Sequence, residues 1–143
     1  MVLKKHEDAG TTDDPAYVSA TDVYYRRHLC RLDPWPDCLN RSLDQLGQDP
    51  EVYNTMWGPS EFHCTGILKN WNIEHRINEI DLPTLILSGR YDESTPGINE
   101  MLHHGIQNSE WIVFEESSHT PHLEETAKYI NILSKFLARN DLK

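Results

Sequence analysis

Two short stretches of this 143-residue chain carry side chains able to do acid–base work together. They are Gly89-Arg90-Tyr91-Asp92-Glu93 and Glu115-Glu116-Ser117-Ser118-His119. Each follows an apolar run, so both read as loops at strand ends. An aspartate bonded to an imidazole fixes its tautomer and steadies its charged form, which is the acid–base half of a nucleophilic triad. Asp92 and His119 are the residues placed to do this.

For the two side chains to meet, the elements before them must end at one rim. Thr84-Leu85-Ile86-Leu87-Ser88-Gly89 and Trp111-Ile112-Val113-Phe114 are short continuous apolar runs, the pattern of strands buried on both faces of a parallel sheet. Pro96 to Ile106 has the length of a crossover helix. From Pro121 onward, Leu123, Ala127, Ile130, Leu133, Phe136 and Leu137 mark one face of a terminal amphipathic helix. The order strand, helix, strand, helix makes a right-handed α/β unit. In open sheets of this kind, working residues lie in loops just beyond the carboxyl ends of the strands. Two strands leave both sheet edges unpaired, and the first half of the chain offers no strands to cover them. The sheet is therefore expected to be incomplete. Either the chain is the C-terminal part of a larger α/β protein, or it pairs with a separate chain that carries the other strands.

The first half reads as helical. After Asp13-Asp14-Pro15, residues Tyr17, Ala20, Tyr24, His28 and Leu29 recur at helical spacing until Pro34-Trp35-Pro36. A second helix is predicted over Asp37 to Leu46, with Gly47 as its stop signal. A third carries Val52, Tyr53, Met56 and Trp57 before Gly58-Pro59. None has a long, clean apolar face, which suits a small lid. The reading divides the chain into a helical cap segment, 1–72, and a C-terminal α/β core portion, 73–143.

With these elements in place, the stretch from about Tyr53 to the C-terminus resembles the proline iminopeptidase family of α/β-hydrolases, which includes the tricorn-interacting aminopeptidase. The resemblance rests on Met56-Trp-Gly-Pro-Ser-Glu-Phe62, Thr65-Gly-Ile-Leu-Lys69, Leu82-Pro-Thr-Leu-Ile86, Gly89-Arg-Tyr-Asp-Glu93 with Thr95-Pro96, and Ser118-His119. Upstream, Tyr25-Arg-Arg-His28, Cys30-Arg31 and Trp35-Pro36 resemble that family's helical cap. The resemblance implies an α/β-hydrolase fold, C-terminal part, preceded by cap helices. It also implies a serine aminopeptidase releasing proline or another residue from the amino end of peptides. In it Asp92 is the triad acid, His119 the general base, and Glu61 and Glu93 hold the free amino terminus of the substrate. Two carboxylates select a cationic amino end by charge-assisted hydrogen bonds. Family order places the serine before the acid and the histidine. No Gly-x-Ser-x-Gly elbow occurs in these residues, nor does a His-Gly-Gly oxyanion loop. Ser88 stands at a strand end and Ser117 and Ser118 adjoin the histidine, so none is placed as the nucleophile. Loss of the nucleophile costs about 10⁶ in turnover, so this chain alone is expected to be inactive. A peptide with a free N-terminus and a chain supplying the N-terminal half of the fold are the expected partners. The alternative is a non-catalytic, hydrolase-derived module that binds peptide or amine termini.

Competing readings of single residues are blander. Glu61 and Glu93 taken alone would be solvated carboxylates. Of Trp35, Trp57, Trp71 and Trp111, only Trp57, beside the Glu61 motif, is expected to face a site; the others read as core. His103 and His104 read as surface residues. His119-Thr-Pro-His122 with Glu124 and Glu125 offers ligand-type side chains, but a non-helical turn separates the imidazoles, so no metal and no cofactor is expected.

Composition narrows the partners. With 13 Lys+Arg against 23 Asp+Glu, the formal charge of -10 disfavours nucleic acid and anionic membrane and favours cationic ligands. Apolar residues make up 38%, against about 45–50% in ordinary globular domains, thin for a free-standing fold. No apolar run approaches the ~20 residues of a membrane span, and no signal-peptide pattern is visible. Cys30, Cys38 and Cys64 form no Cys-x-x-Cys pair, as in reduced cytoplasmic proteins.

Overall fold

The computed structural model describes residues 1–61 and 63–141; Phe62, the last residue of the Met56–Phe62 motif, lies outside the described residues. These residues form two compact units, Met1–Tyr24 with Pro34–Asn72, and Tyr25–Asp33 with the described residues from Ile73 onward.

The first unit is helical. Helix α1, Val2–Ala9, ends at Gly10, whose φ of 65° is a left-handed conformation that favours glycine. Helix α2, Pro15–His28, starts where proline costs no hydrogen bond, and Asp14 Oδ1 accepts the Ala16 amide at 2.8 Å. His6 and Tyr17 join α1 to α2 edge to face, with ring centroids 6.4 Å apart. Helix α3, Asp37–Gln48, runs past Gly47, the expected stop. Gly47 is not in a left-handed conformation; the helix ends because Asp49 precedes Pro50 and is pushed to φ -135°, ψ 73°. Helix α4, Glu51–Met56, follows, and Gly58 turns the chain with a φ of 124°.

The second unit holds the sheet. Strands β1, Thr84–Gly89, and β2, Ser109–Phe114, pair in parallel, in register from Thr84↔Ser109 to Gly89↔Phe114. Helix α5, Pro96–Gly105, makes the crossover. A Cβ on Gly105 would collide with the side chain of Ile77, so glycine lets α5 close on the turn Glu74–Glu79. Burial on both strand faces, expected from the apolar runs, is only partial. Ile86, Ser88, Gly89 and Phe114 are buried, while Leu85, Leu87 and Trp111–Val113 are half-buried. The sheet has two strands among the described residues, too few to cover its own faces.

Two further expectations are corrected. His103 is half-buried rather than on the surface: its Nδ1 lies 2.9 Å from Ser109 Oγ and its ring 6.3 Å from that of Trp111, whereas His104 is exposed. The terminal helix is broken into α6, Pro121–Glu124, and α7, Thr126–Asn140, by Glu125 at φ -127°, ψ 48°. Its apolar stripe is not fully covered, since Ile130 and Leu137 are exposed.

Candidate active site

The parallel register brings both loops to one rim. Beyond Gly89 and Phe114, the Arg90 amide donates to the Phe114 carbonyl at 2.8 Å and the Tyr91 amide to the Ser117 carbonyl at 3.1 Å. Glycine is required at the crossing, because a Cβ on Gly89 would collide with the carbonyl oxygens of Ser117 and Ser118. Outside, the Arg90 guanidinium forks onto Glu115 at 2.7 and 2.6 Å, and hydrogen bonding to Arg90 lowers the pKa of this carboxyl.

His119 Nδ1 lies 2.8 Å from Asp92 Oδ1. Asp92 is 6% exposed, and both its oxygens are held by backbone amides: Oδ1 by Ser94 at 2.8 Å and Oδ2 by Gly89 at 3.2 Å. Asn99, also buried, fixes the Ser94 end of that loop by donating to the Ser94 carbonyl at 2.6 Å. An ionised carboxylate only accepts, so Nδ1 is the protonated nitrogen and Nε2 the basic one. The imidazole is about half exposed. The pair borders a cavity of about 240 Å³ lined also by Leu87, Ser94, His122 and Tyr129.

Two sets of contacts brace the loops, and neither has a clear sequence pattern. The His28 carbonyl accepts the amides of both Glu93, at 3.3 Å, and His119, at 3.1 Å. His28 Nδ1 lies 2.8 Å from the Tyr91 carbonyl, and the Arg31 guanidinium stacks 3.7 Å over the Tyr91 ring. Tyr25–Asp33, which falls in the 1–72 segment of the sequence reading, thus groups with the sheet. A backbone carbonyl has no sequence signature. The second set is Glu124 and Glu125. Glu125 Oε2 accepts from Ser117 Oγ at 2.6 Å, and Glu124 accepts from the Ser118 amide at 2.9 Å and its hydroxyl at 3.0 Å. Burial raises the Glu125 pKa, but the Ser117 hydroxyl, the Lys128 ammonium and the Glu116 amide outweigh it and leave it below its ordinary value. The available signal was two hydroxyls followed six and eight residues later by two carboxylates.

The serines are accounted for. Ser117 and Ser118 are fully buried on these carboxylates, and Ser88 accepts the Trp111 Nε1 proton at 2.9 Å. His122 packs edge-on against Tyr129, and among the described residues no group of three His, Cys, Asp or Glu forms a metal-binding cluster. Cys30 is buried, Cys64 half-buried and Cys38 exposed. Among the described residues no helix is long and apolar enough to cross a membrane.

Trp57 and Glu61 lie in the helical unit. With Leu46, Val52, Tyr53 and Met56 they line an apolar groove of about 480 Å³. The loop carrying Glu61 is closed by the Thr65 and Gly66 amides, which donate to the Trp57 carbonyl at 2.8 and 2.7 Å. Ser60 anchors it at 3.3 Å from the Tyr17 hydroxyl, whose pKa burial raises. Of the other tryptophans, Trp71 is 64% exposed rather than core.

Comparison with known proteins gives a consistent result. The sequence is 34% identical over 136 residues, 95% of the chain, to the proline iminopeptidase of Saccharolobus solfataricus, of which it covers 44%. It is 37% identical over 138 residues, 96% of the chain, to that of Thermoplasma volcanium, of which it covers 46%. The fold matches the crystal structure of VinJ with a TM-score of 0.90 and 39% identity, over 97% of this chain and 47% of that one. It matches proline iminopeptidase from Mycobacterium smegmatis with a TM-score of 0.86 and 36% identity, over 98% and 47%. No family model matches the chain. The chain spans about half the length of the curated relatives it matches, and the half that aligns is the C-terminal one.

Proposed function

We propose that this chain, a relative of the proline iminopeptidases with the C-terminal part of an α/β-hydrolase fold, carries the acid–base side of a serine aminopeptidase site. The observation that carries this reading is the 2.8 Å bond between His119 Nδ1 and a buried Asp92, at the carboxyl ends of two adjacent parallel strands. In the assembled site a serine from the N-terminal half of the fold attacks the first peptide carbonyl, and His119 Nε2 takes its proton. Asp92 holds Nδ1–H and stabilises the imidazolium. His119 then protonates the leaving amine, and water, activated by the same base, hydrolyses the acyl-enzyme. Glu61 and Glu93 bind the ammonium of the substrate, and Trp57 offers an aromatic face to the residue released. The compartment this reading fits is the cytoplasm.

The test is to combine the full chain with the N-terminal half of a related hydrolase and follow release of proline from a chromogenic prolyl amide. Turnover that needs both chains supports the reading; a well-folded pair without turnover counts against it. The second reading, a hydrolase-derived module that binds peptide or amine termini, draws on the groove in which Glu61 stands with Tyr53 and Trp57. Saturable binding of proline or short peptides without turnover in any pairing would select it.

A further inference from the structure

The best-satisfied side chain near His119 is one to which the acid–base chemistry assigns no part. Glu124, half-buried at the end of α6, accepts hydrogen bonds from residues on both sides of the histidine. On one side are the Ser118 amide and hydroxyl, at 2.9 and 3.0 Å, and on the other is the Thr120 hydroxyl, at 3.2 Å. Its Oε1 also accepts the Arg31 amide at 2.8 Å. Arg31 belongs to Tyr25–Asp33, whose His28 carbonyl takes the amides of Glu93 and His119 and whose Leu29 carbonyl, 3.1 Å from the Thr120 hydroxyl, shares its single proton with Glu124. One carboxylate thus ties the base loop to the segment that grips the acid loop.

We propose that Glu124 is the positioning residue of this site: it sets the His119 imidazole against Asp92 by clamping the flanking Ser118 and Thr120 and locking them to Arg31. This rests on the acid–base reading of the Asp92–His119 pair, and adds a residue that touches neither substrate nor the reacting atoms. A carboxylate suits the post because it accepts several bonds at once, and bonds to a charged acceptor are about twice as strong as neutral ones. Glutamine keeps the shape but turns half of the acceptor into a donor, facing amides that also donate.

The readout is the His119 Nδ1–H proton, observed by NMR on the full chain with 15N-labelled histidine, beside amide protection of β1 and β2 as a measure of folding. In the parent chain the proton is expected downfield and slow to exchange, and D92N is expected to abolish it. If the parent lacks the signal, the acid–base reading itself fails. In E124Q the signal is expected to vanish, or to exchange at least tenfold faster, with strand protection unchanged. The double variant S118A/T120V keeps the carboxylate and removes only hydroxyl donors; an intermediate acceleration is expected there. A parent signal that survives unchanged in both variants overturns the proposal. So does loss of strand protection in step with the signal in both, because Glu124 would then hold the fold and not the imidazole.

Discussion

Asp92 shows how much one residue can depend on its surroundings. Its oxygens are satisfied by two amides before the imidazole is counted, so the carboxylate is held ready for Nδ1 rather than bound to it by chance. In the paired enzyme Asp92→Asn should lower kcat by about 10⁴, because an amide can offer N–H to Nδ1 and select the wrong tautomer. Steady-state assays of the mixed chains check this. Gly89→Ala should destabilise the chain by about 1–3 kcal/mol in urea unfolding, since its methyl group meets two carbonyls that cannot withdraw without opening the base loop. Glu125 adds a pH dependence. Its pKa is lowered in the folded chain, so its contribution to stability is complete above the ordinary carboxylate value and is lost as pH falls through the lowered one. Urea midpoints followed downward from pH 6 should fall less steeply in Glu125→Gln than in the parent.

At the scale of elements, the legible parts were those fixed by local chemistry. Strand β1 was readable from Thr84 to Gly89 because the apolar run Leu85-Ile86-Leu87 is closed off by Gly89, and α2 because prolines stand at its start and beyond its end. Asp92 and His119 were readable for the same reason, each lying a few residues past an apolar run. What escaped was decided by side chains reaching out of their own element. The α6–α7 break follows from Glu124 and Glu125 turning toward Ser118 and Ser117, a tertiary demand that overrides a continuous apolar stripe. The last turn of α3 escaped because Gly47 is tolerated inside the helix, which ends only where Asp49 meets Pro50. Gly47 also yields a prediction of opposite sign to Gly89. It lies inside a helix with nothing within 4 Å of an added Cβ, so Gly47→Ala should stabilise the chain by about 0.4–1 kcal/mol, measured as a rise in the urea midpoint.

For the whole molecule, the limiting quantity is buried apolar surface. Among the described residues the buried hydrophobic ones are Tyr17, Cys30, Ile77, Ile86, Ile106 and Phe114, and much of the sheet stays half-exposed. The low apolar content already pointed there, and the relatives are about twice as long. The strand pair has a cost of its own when it stands alone. Each strand has a neighbouring strand on one side only among the described residues, and the segments Leu85–Leu87 and Trp111–Phe114 carry no charge, proline or glycine to interrupt them. Strand edges beside uncharged apolar runs are templates for pairing with further chains. Concentrated samples of the isolated chain should therefore develop thioflavin T fluorescence over hours of incubation, and a bound strand from another polypeptide should suppress it.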